Sequence, residues 1–123
     1  MPRVLIVDDA ATVRLYHRRV VEGMGLAADE AINGVEALEK ALVEPYDLYL
    51  VDVNMPKLDG YGFLRALRGE AIDQAPAVMI STEAATHDAE RAYDAGANAY
   101  LVKPVAPTQL QRLIRLLVPV VSA

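Results

Sequence analysis

Four short apolar runs divide this chain, and each one stops at a polar residue. Val4-Leu5-Ile6-Val7 ends at Asp8-Asp9, and Leu48-Tyr49-Leu50-Val51 ends at Asp52. Ala77-Val78-Met79-Ile80 ends at Ser81, and Ala99-Tyr100-Leu101-Val102 ends at Lys103-Pro104. Unbroken apolar runs of this length read as strands buried on both faces, the habit of parallel sheets. The segments between them carry helical spacing; Val13, Val20, Val21 and Met24, for example, give the first a core-facing side. The pattern predicts strands near 3–7, 27–31, 47–51, 76–80 and 98–102, and helices near 11–23, 34–43, 60–68, 85–94 and 107–118. Strand and helix in strict alternation imply an α/β fold whose parallel sheet is covered on both faces. Ala27-Ala28-Asp29-Glu30-Ala31 is the most polar strand and is expected at the sheet edge.

Local punctuation agrees with these boundaries. Gly23 and Gly25 close the first helix, and Gly25 suits a left-handed position just past its end. Asn33-Gly34 turns the chain into the second helix, Asp59 is placed to cap the third, and Gly96 closes the fourth. No repeat, low-complexity tract or linker interrupts the pattern. Residues 1–123 are therefore expected to form one domain, with no output domain after the closing Val118-Pro119-Val120-Val121-Ser122-Ala123.

Composition narrows the class. The 123 residues are 54% hydrophobic and 24% charged, which is globular rather than disordered. A formal charge of −5 argues against nonspecific nucleic-acid binding, and no basic patch with interleaved aromatics is visible. The absence of cysteine removes disulfides and thiolate metal sites and fits a reducing, cytoplasmic setting. Met1-Pro2-Arg3 leads straight into a strand without a signal-peptide pattern, and every apolar run is too short to span a bilayer.

In an open α/β sheet, ligands bind outside the carboxyl ends of the strands. Asp8, Asp9, Asp52, Ser81 and Lys103 therefore converge on one small site. Three crowded carboxylates resist full ionisation unless something compensates them. A hard divalent cation does so, and Mg²⁺ suits best: it takes oxygen ligands and is usually held by one or two carboxylates plus phosphate oxygens. A backbone carbonyl just after Asp52 would add a ligand. No calcium-loop pattern appears. Lys103 contributes a point positive charge, and an X-Pro bond at this strand end, if cis, would aim it into the site. Ser81 is preferred to Thr82 as the key hydroxyl because it follows Ile80 directly, where the strand pattern stops.

Several motifs together resemble the receiver domain of two-component response regulators, particularly the single-domain chemotaxis (CheY-like) type. They are Val4-Leu5-Ile6-Val7-Asp8-Asp9, Val51-Asp52-Val53-Asn54-Met55-Pro56, Leu58-Asp59-Gly60, Ser81-Thr82-Glu83-Ala84, Ala95-Gly96-Ala97 and Lys103-Pro104. The resemblance spans nearly the whole chain. It implies a flavodoxin-like (βα)5 doubly wound sandwich with strand order 2-1-3-4-5, an order for which a chemotaxis receiver is itself a standard example. It also implies that Asp52 is the phosphoacceptor, taking a phosphoryl group from a sensor histidine kinase or a histidine phosphotransfer protein. Asp9 and Asp52 would bind Mg²⁺ directly, with the Asn54 backbone carbonyl as a third ligand and Asp8 acting mainly through water. Lys103 and Ser81 would hold phosphoryl oxygens.

Tyr100 matches the family's aromatic switch position. Movement of Ser81 and Tyr100 would change the affinity of the face built by the fourth helix, fifth strand and fifth helix for an output protein, such as a flagellar motor switch or another adaptor. Asn54, Thr82 and Glu83 occupy positions that influence hydrolysis of the phosphoryl group. The implied protein is a monomeric signalling switch and not an enzyme; its only catalysis is on itself. Arg14, Arg18 and Arg19 with His17 make the first helix locally basic, and Arg14, Arg18 and Pro104 are candidates for docking an acidic phosphodonor.

Three alternatives remain beside this. A haloacid-dehalogenase-type phosphatase would need an aspartate two residues after its nucleophile, where this chain has Asn54. A flavin-binding domain would need a phosphate cradle where Asp8-Asp9 would repel phosphate. An unphosphorylated receiver-like scaffold is the third.

Overall fold

A computed structural model describes residues 1–119. Five strands, β1 (Arg3–Val7), β2 (Ala27–Ala31), β3 (Leu48–Asp52), β4 (Ala77–Ser81) and β5 (Ala99–Val102), alternate with five helices. The helices are α1 (Ala11–Gly23), α2 (Gly34–Val43), α3 (Gly60–Arg68), α4 (Thr86–Ala95) and α5 (Pro107–Leu117). All strand pairs are parallel, in the order β2-β1-β3-β4-β5. This is the expected flavodoxin-like (βα)5 sandwich, with the polar strand β2 at one edge. β3, β4 and β5 begin one residue later than the sequence pattern indicates, so that Asp52 and Ser81 are the last residues of their strands. The stretch after Pro119, read from sequence as trailing the last helix, lies outside the described residues.

Strand residues point alternately to opposite faces, and the sheet has two separate cores for that reason. Val4, Ile6, Leu48, Leu50, Val78 and Ile80 pack with Val20 and Val21 of α1 and Leu110 and Ile114 of α5. Leu5, Val7, Tyr49, Val51, Ala77 and Met79 pack with Ala37 of α2, Phe63, Leu64 and Leu67 of α3, and Ala92 of α4. Both faces of β1, β3 and β4 are thus dry, which is why their sequences show no polar alternation.

Helix ends follow local chemistry. The Asn33 side chain caps α2 by accepting from the Glu36 N–H at 2.8 Å, and Asp59 caps α3 by accepting from the Gly62 N–H at 2.8 Å. Gly25 and Gly96 take positive φ of 82° and 113°, the left-handed conformation that ends a helix at least cost in glycine. Among the described residues no helix is long and apolar enough to cross a membrane.

Candidate functional site

Alternation along the strands decides what reaches the carboxyl rim. Val7 pairs with Val51, so the next step along each strand sets Asp8 beside Asp52. Both continue the face that carries Val4, Ile6, Leu48 and Leu50. Lys103 continues the same face on β5, after Ala99 and Leu101. The three residues meet as this register requires: the Lys103 ammonium lies 2.9 Å from Asp52 Oδ1 and 3.1 Å from Asp8 Oδ2. The Lys103-Pro104 peptide is cis. Asp8 and Asp52 are only 2% and 6% exposed, whereas Asp9 faces solvent. One carboxylate oxygen from each of Asp8, Asp9 and Asp52 lies within 4.8 Å of the others.

The electrostatics follow from this crowding. Burial pushes the Asp52 carboxyl above its ordinary range; the bond from Lys103 works against that shift, and the neighbouring charge of Asp8 works with it. Burial works to lower the Lys103 ammonium, but its two carboxylate partners outweigh burial and raise it. One lysine cannot neutralise three acids. The remaining negative charge, displayed on clustered hard oxygens, suits a divalent cation.

Ser81 and Tyr100 belong to the opposite face. Ser81 continues the alternation of Ala77 and Met79, and Tyr100, registered against Met79, packs on the core shared with those residues. Ser81 is buried, and its hydroxyl accepts from the Glu83 N–H at 3.0 Å. The Tyr100 hydroxyl donates to the Glu83 carbonyl at 2.6 Å. The loop after β4 is therefore tied at one residue to both the Ser81 hydroxyl and the Tyr100 ring. Thr82 is exposed, beside a hollow of about 330 Å³ lined by Val13, Tyr16, His17, Lys103, Pro104 and Val105. Asn54 is exposed just after the strand end, and Pro104 is also exposed.

These rim residues sit where the sequence places them, and the fold is decisive for what they are. A family model described as the response regulator receiver domain matches residues 4–115. The chain belongs to this family.

Other comparisons agree with a receiver domain. A gliding motility regulatory protein of Myxococcus xanthus is 43% identical over 102 residues, covering 82% of this chain and 13% of that protein. The receiver spans less than half the length of the other curated relatives it matches as well. The chemotaxis protein CheY4 of Vibrio cholerae superposes with a TM-score of 0.90 at 31% identity, covering 96% of this chain and 99% of that one. The receiver domain of a sensor histidine kinase from Pseudomonas aeruginosa PAO1, solved with a magnesium ion coordinated in its active-site cleft, gives a TM-score of 0.87 at 26% identity. Coverage there is 99% of this chain and 98% of that one.

Two arginines of the first helix are held within the protein. His17 is 3% exposed, and burial lowers its pKa, with Asp8 raising it and Lys103 lowering it. Arg14 and Arg18 both hold Glu30 of β2: Arg14 Nε donates to Oε1 at 2.8 Å and Arg18 Nη1 to Oε2 at 2.6 Å. Arg19 is the exposed cation of that helix. The reason is the sheet edge. β2 lies under α1, so Glu30 is within reach of the helix, a contact no local spacing reveals. Arg14 also donates from Nη1 to the Asp8 carbonyl at 2.8 Å, a link to the site that sequence reasoning missed.

Proposed function

We propose that this receiver domain is a cytoplasmic, phosphorylation-activated switch of a two-component relay, with Asp52 as the acceptor. The observation that carries this is the Lys103 ammonium bridging Asp8 and Asp52 at the rim, with Asp9 close enough to share a cation with both. The donor would be phosphohistidine on a sensor histidine kinase or a phosphotransfer protein. An Asp52 carboxylate oxygen attacks phosphorus in line; an O–P bond forms as the P–N bond breaks, and the electron pair returns to the donor imidazole.

Asp9, Asp52 and the Asn54 carbonyl would hold Mg²⁺ directly, with Asp8 beside it, and the ion would supply charge stabilisation for the phosphoryl oxygens. Lys103 holds Asp52 in place beforehand and offers its third proton to a phosphoryl oxygen. The buried Ser81 hydroxyl accepts from the Glu83 N–H, and its own proton would go to another of these oxygens. Drawing Ser81 inward pulls on Glu83, and the Tyr100 hydroxyl is bonded to that same residue. The pair therefore carries the event from the rim to α4, β5 and α5, where an output protein would read it. A phosphoryl group can bias the two arrangements only by its differential interaction with them. Thr82, Glu83 and Asn54 border the path of an attacking water and would set how long the signal lasts. Beyond taking on and losing this group, the domain catalyses nothing.

Acetyl phosphate with Mg²⁺ is expected to add one phosphoryl mass to the wild-type chain, and beryllofluoride with Mg²⁺ to perturb the amide resonances around Ser81 and Tyr100. Asp52→Asn should abolish both. A phosphoryl mass retained in Asp52→Asn would reject the assigned acceptor.

A further inference from the structure

We propose that Arg14 is a positioning residue for the cation site, acting through the peptide that joins Asp8 to Asp9. The inference rests on the cation-binding reading above and adds a residue to it. The β1–α1 turn must present Asp9 from an exposed position while Asp8 is buried, and within the turn Asp8 Oδ1 accepts from the Ala10 N–H at 2.9 Å. The residue before α1 is Ala10, which has no capping side chain, and the first turn of the helix carries no acid.

The Asp8 backbone is also held on both sides: the N–H of the preceding peptide donates to the Ala31 carbonyl at 3.1 Å, and the carbonyl of the Asp8–Asp9 peptide accepts from Arg14 Nη1 at 2.8 Å. Arg14 is in turn fixed by Glu30, which accepts from its Nε at 2.8 Å. Glu30 is itself steadied by Arg18 on its other carboxylate oxygen and by Lys40 on its backbone carbonyl. The Arg14 side chain is largely covered, at 15% exposed. A planar fork presents Nε to Glu30 and Nη1 to the Asp8 carbonyl in one fixed geometry, which the flexible point charge of a lysine does not reproduce. The chain of contacts runs from the sheet edge to the one peptide whose rotation would swing Asp9 away from Asp8 and Asp52.

Groups that orient metal ligands typically change metal affinity 10–100-fold when removed. Here the sign discriminates. Deleting a positive charge near a dication should by itself tighten binding, so weaker binding isolates the positioning role.

The test is calorimetric titration of Mg²⁺ into the full chain, with circular dichroism as the check on folding. Arg14→Ala should bind Mg²⁺ about 10–100-fold more weakly than wild type. Acetyl-phosphate labelling should recover toward the wild-type rate once Mg²⁺ saturates. Arg19→Ala, which removes an exposed charge from the same helix outside this chain of contacts, should bind about as wild type does. Arg14→Lys keeps the charge and should still be weakened; it decides the matter if the alanine variant does not fold. Wild-type or tighter affinity in a folded Arg14 variant would overturn the proposal while leaving the cation site intact. Failure of the wild type to bind Mg²⁺ would instead overturn the cation site, and this inference with it.

Discussion

His17 shows how a residue's surroundings reverse its reading. On α1 it follows Tyr16, with ring centroids 5.5 Å apart, and it lines the hollow beside Lys103. A buried imidazole loses hydration when it charges, so burial lowers its pKa from the usual 6.5; Asp8 opposes that shift and Lys103 adds to it. The consequence for stability has a definite sign. As pH falls through 6.5 the unfolded chain takes a proton on His17 and the folded chain does not, so the fold loses stability down to the depressed folded-state value. The slope contributed in that window is at most about 1.4 kcal/mol per pH unit. His17→Gln should remove it, which urea unfolding at pH 7.5 and pH 5.5 measures. An unchanged pH difference in the variant would show that His17 does not titrate between these states. Asp8, Asp52, Ser81 and Lys103 were legible in the sequence because each ends an apolar run, and parallel strands deliver their ends to one rim. His17, Arg14 and Arg18 were not, because their partners lie on β2 or across the rim, and helical spacing alone cannot distinguish a solvated arginine from one paired across elements.

α3 illustrates the same relation between element and site. Asp59 caps its start, and the Gly60 N–H donates to the Val53 carbonyl at 2.9 Å, seating the helix on the end of β3. The approach is too close for a side chain. A Cβ on Gly60 would lie 2.5 Å from the Asp52 carbonyl oxygen and 3.0 Å from Val53 Cα. These are backbone atoms and cannot swing aside, so Gly60→Ala must move α3 or the end of β3. Overpacking of this kind costs typically about 1–3 kcal/mol, and here it would displace Asp52 as well. At the other end of the same helix, Gly69 has φ of −84° and no heavy atom closer than 3.5 Å to an added Cβ. Gly69→Ala should be tolerated, or should stabilise by about 0.4–1 kcal/mol through the unfolded chain. Denaturant midpoints and acetyl-phosphate labelling should therefore separate the two: Gly60→Ala loses both stability and labelling, and Gly69→Ala loses neither. Equal behaviour would mean that the seating of α3 does not govern Asp52. In the sequence Asp59-Gly60 reads as a helix start and, with Leu58, as a family motif. The close approach depends on how α3 lies on β3, which is tertiary information.

For the molecule as a whole, the rim is a place where function opposes stability. Both faces of the sheet are dry, and the chain carries a net charge of −5, yet two of its acids are buried side by side at the end of that core. The pKa directions say which member of the cluster strains the fold. Asp52 is raised, burial first, so its charged form is disfavoured in the native state, and ionising it as pH rises costs stability. Lys103 is raised against burial by its two carboxylates, so its charge stabilises the fold below its ordinary 10.5, and that contribution is lost as pH rises through the higher folded value. The two partners of one ion pair should thus respond in opposite directions to neutralisation. In EDTA, Asp52→Asn should resist urea better than wild type, since Asp8 still pairs with Lys103. Lys103→Met should be weaker by about 2–3 kcal/mol, below the range for fully buried pairs because the lysine is partly exposed. Mg²⁺ at a hundredfold excess over its dissociation constant should then add about 2.7 kcal/mol to wild type and much less to Asp52→Asn, because only the wild type offers the full donor set. If Asp52→Asn unfolds earlier than wild type in EDTA, the Lys103–Asp52 bond outweighs the burial of the carboxylate, and the rim stabilises the apo-protein. If it unfolds later, Asp52 is held at a cost that a bound cation would relieve, and unfolding curves alone would report the loading of the site.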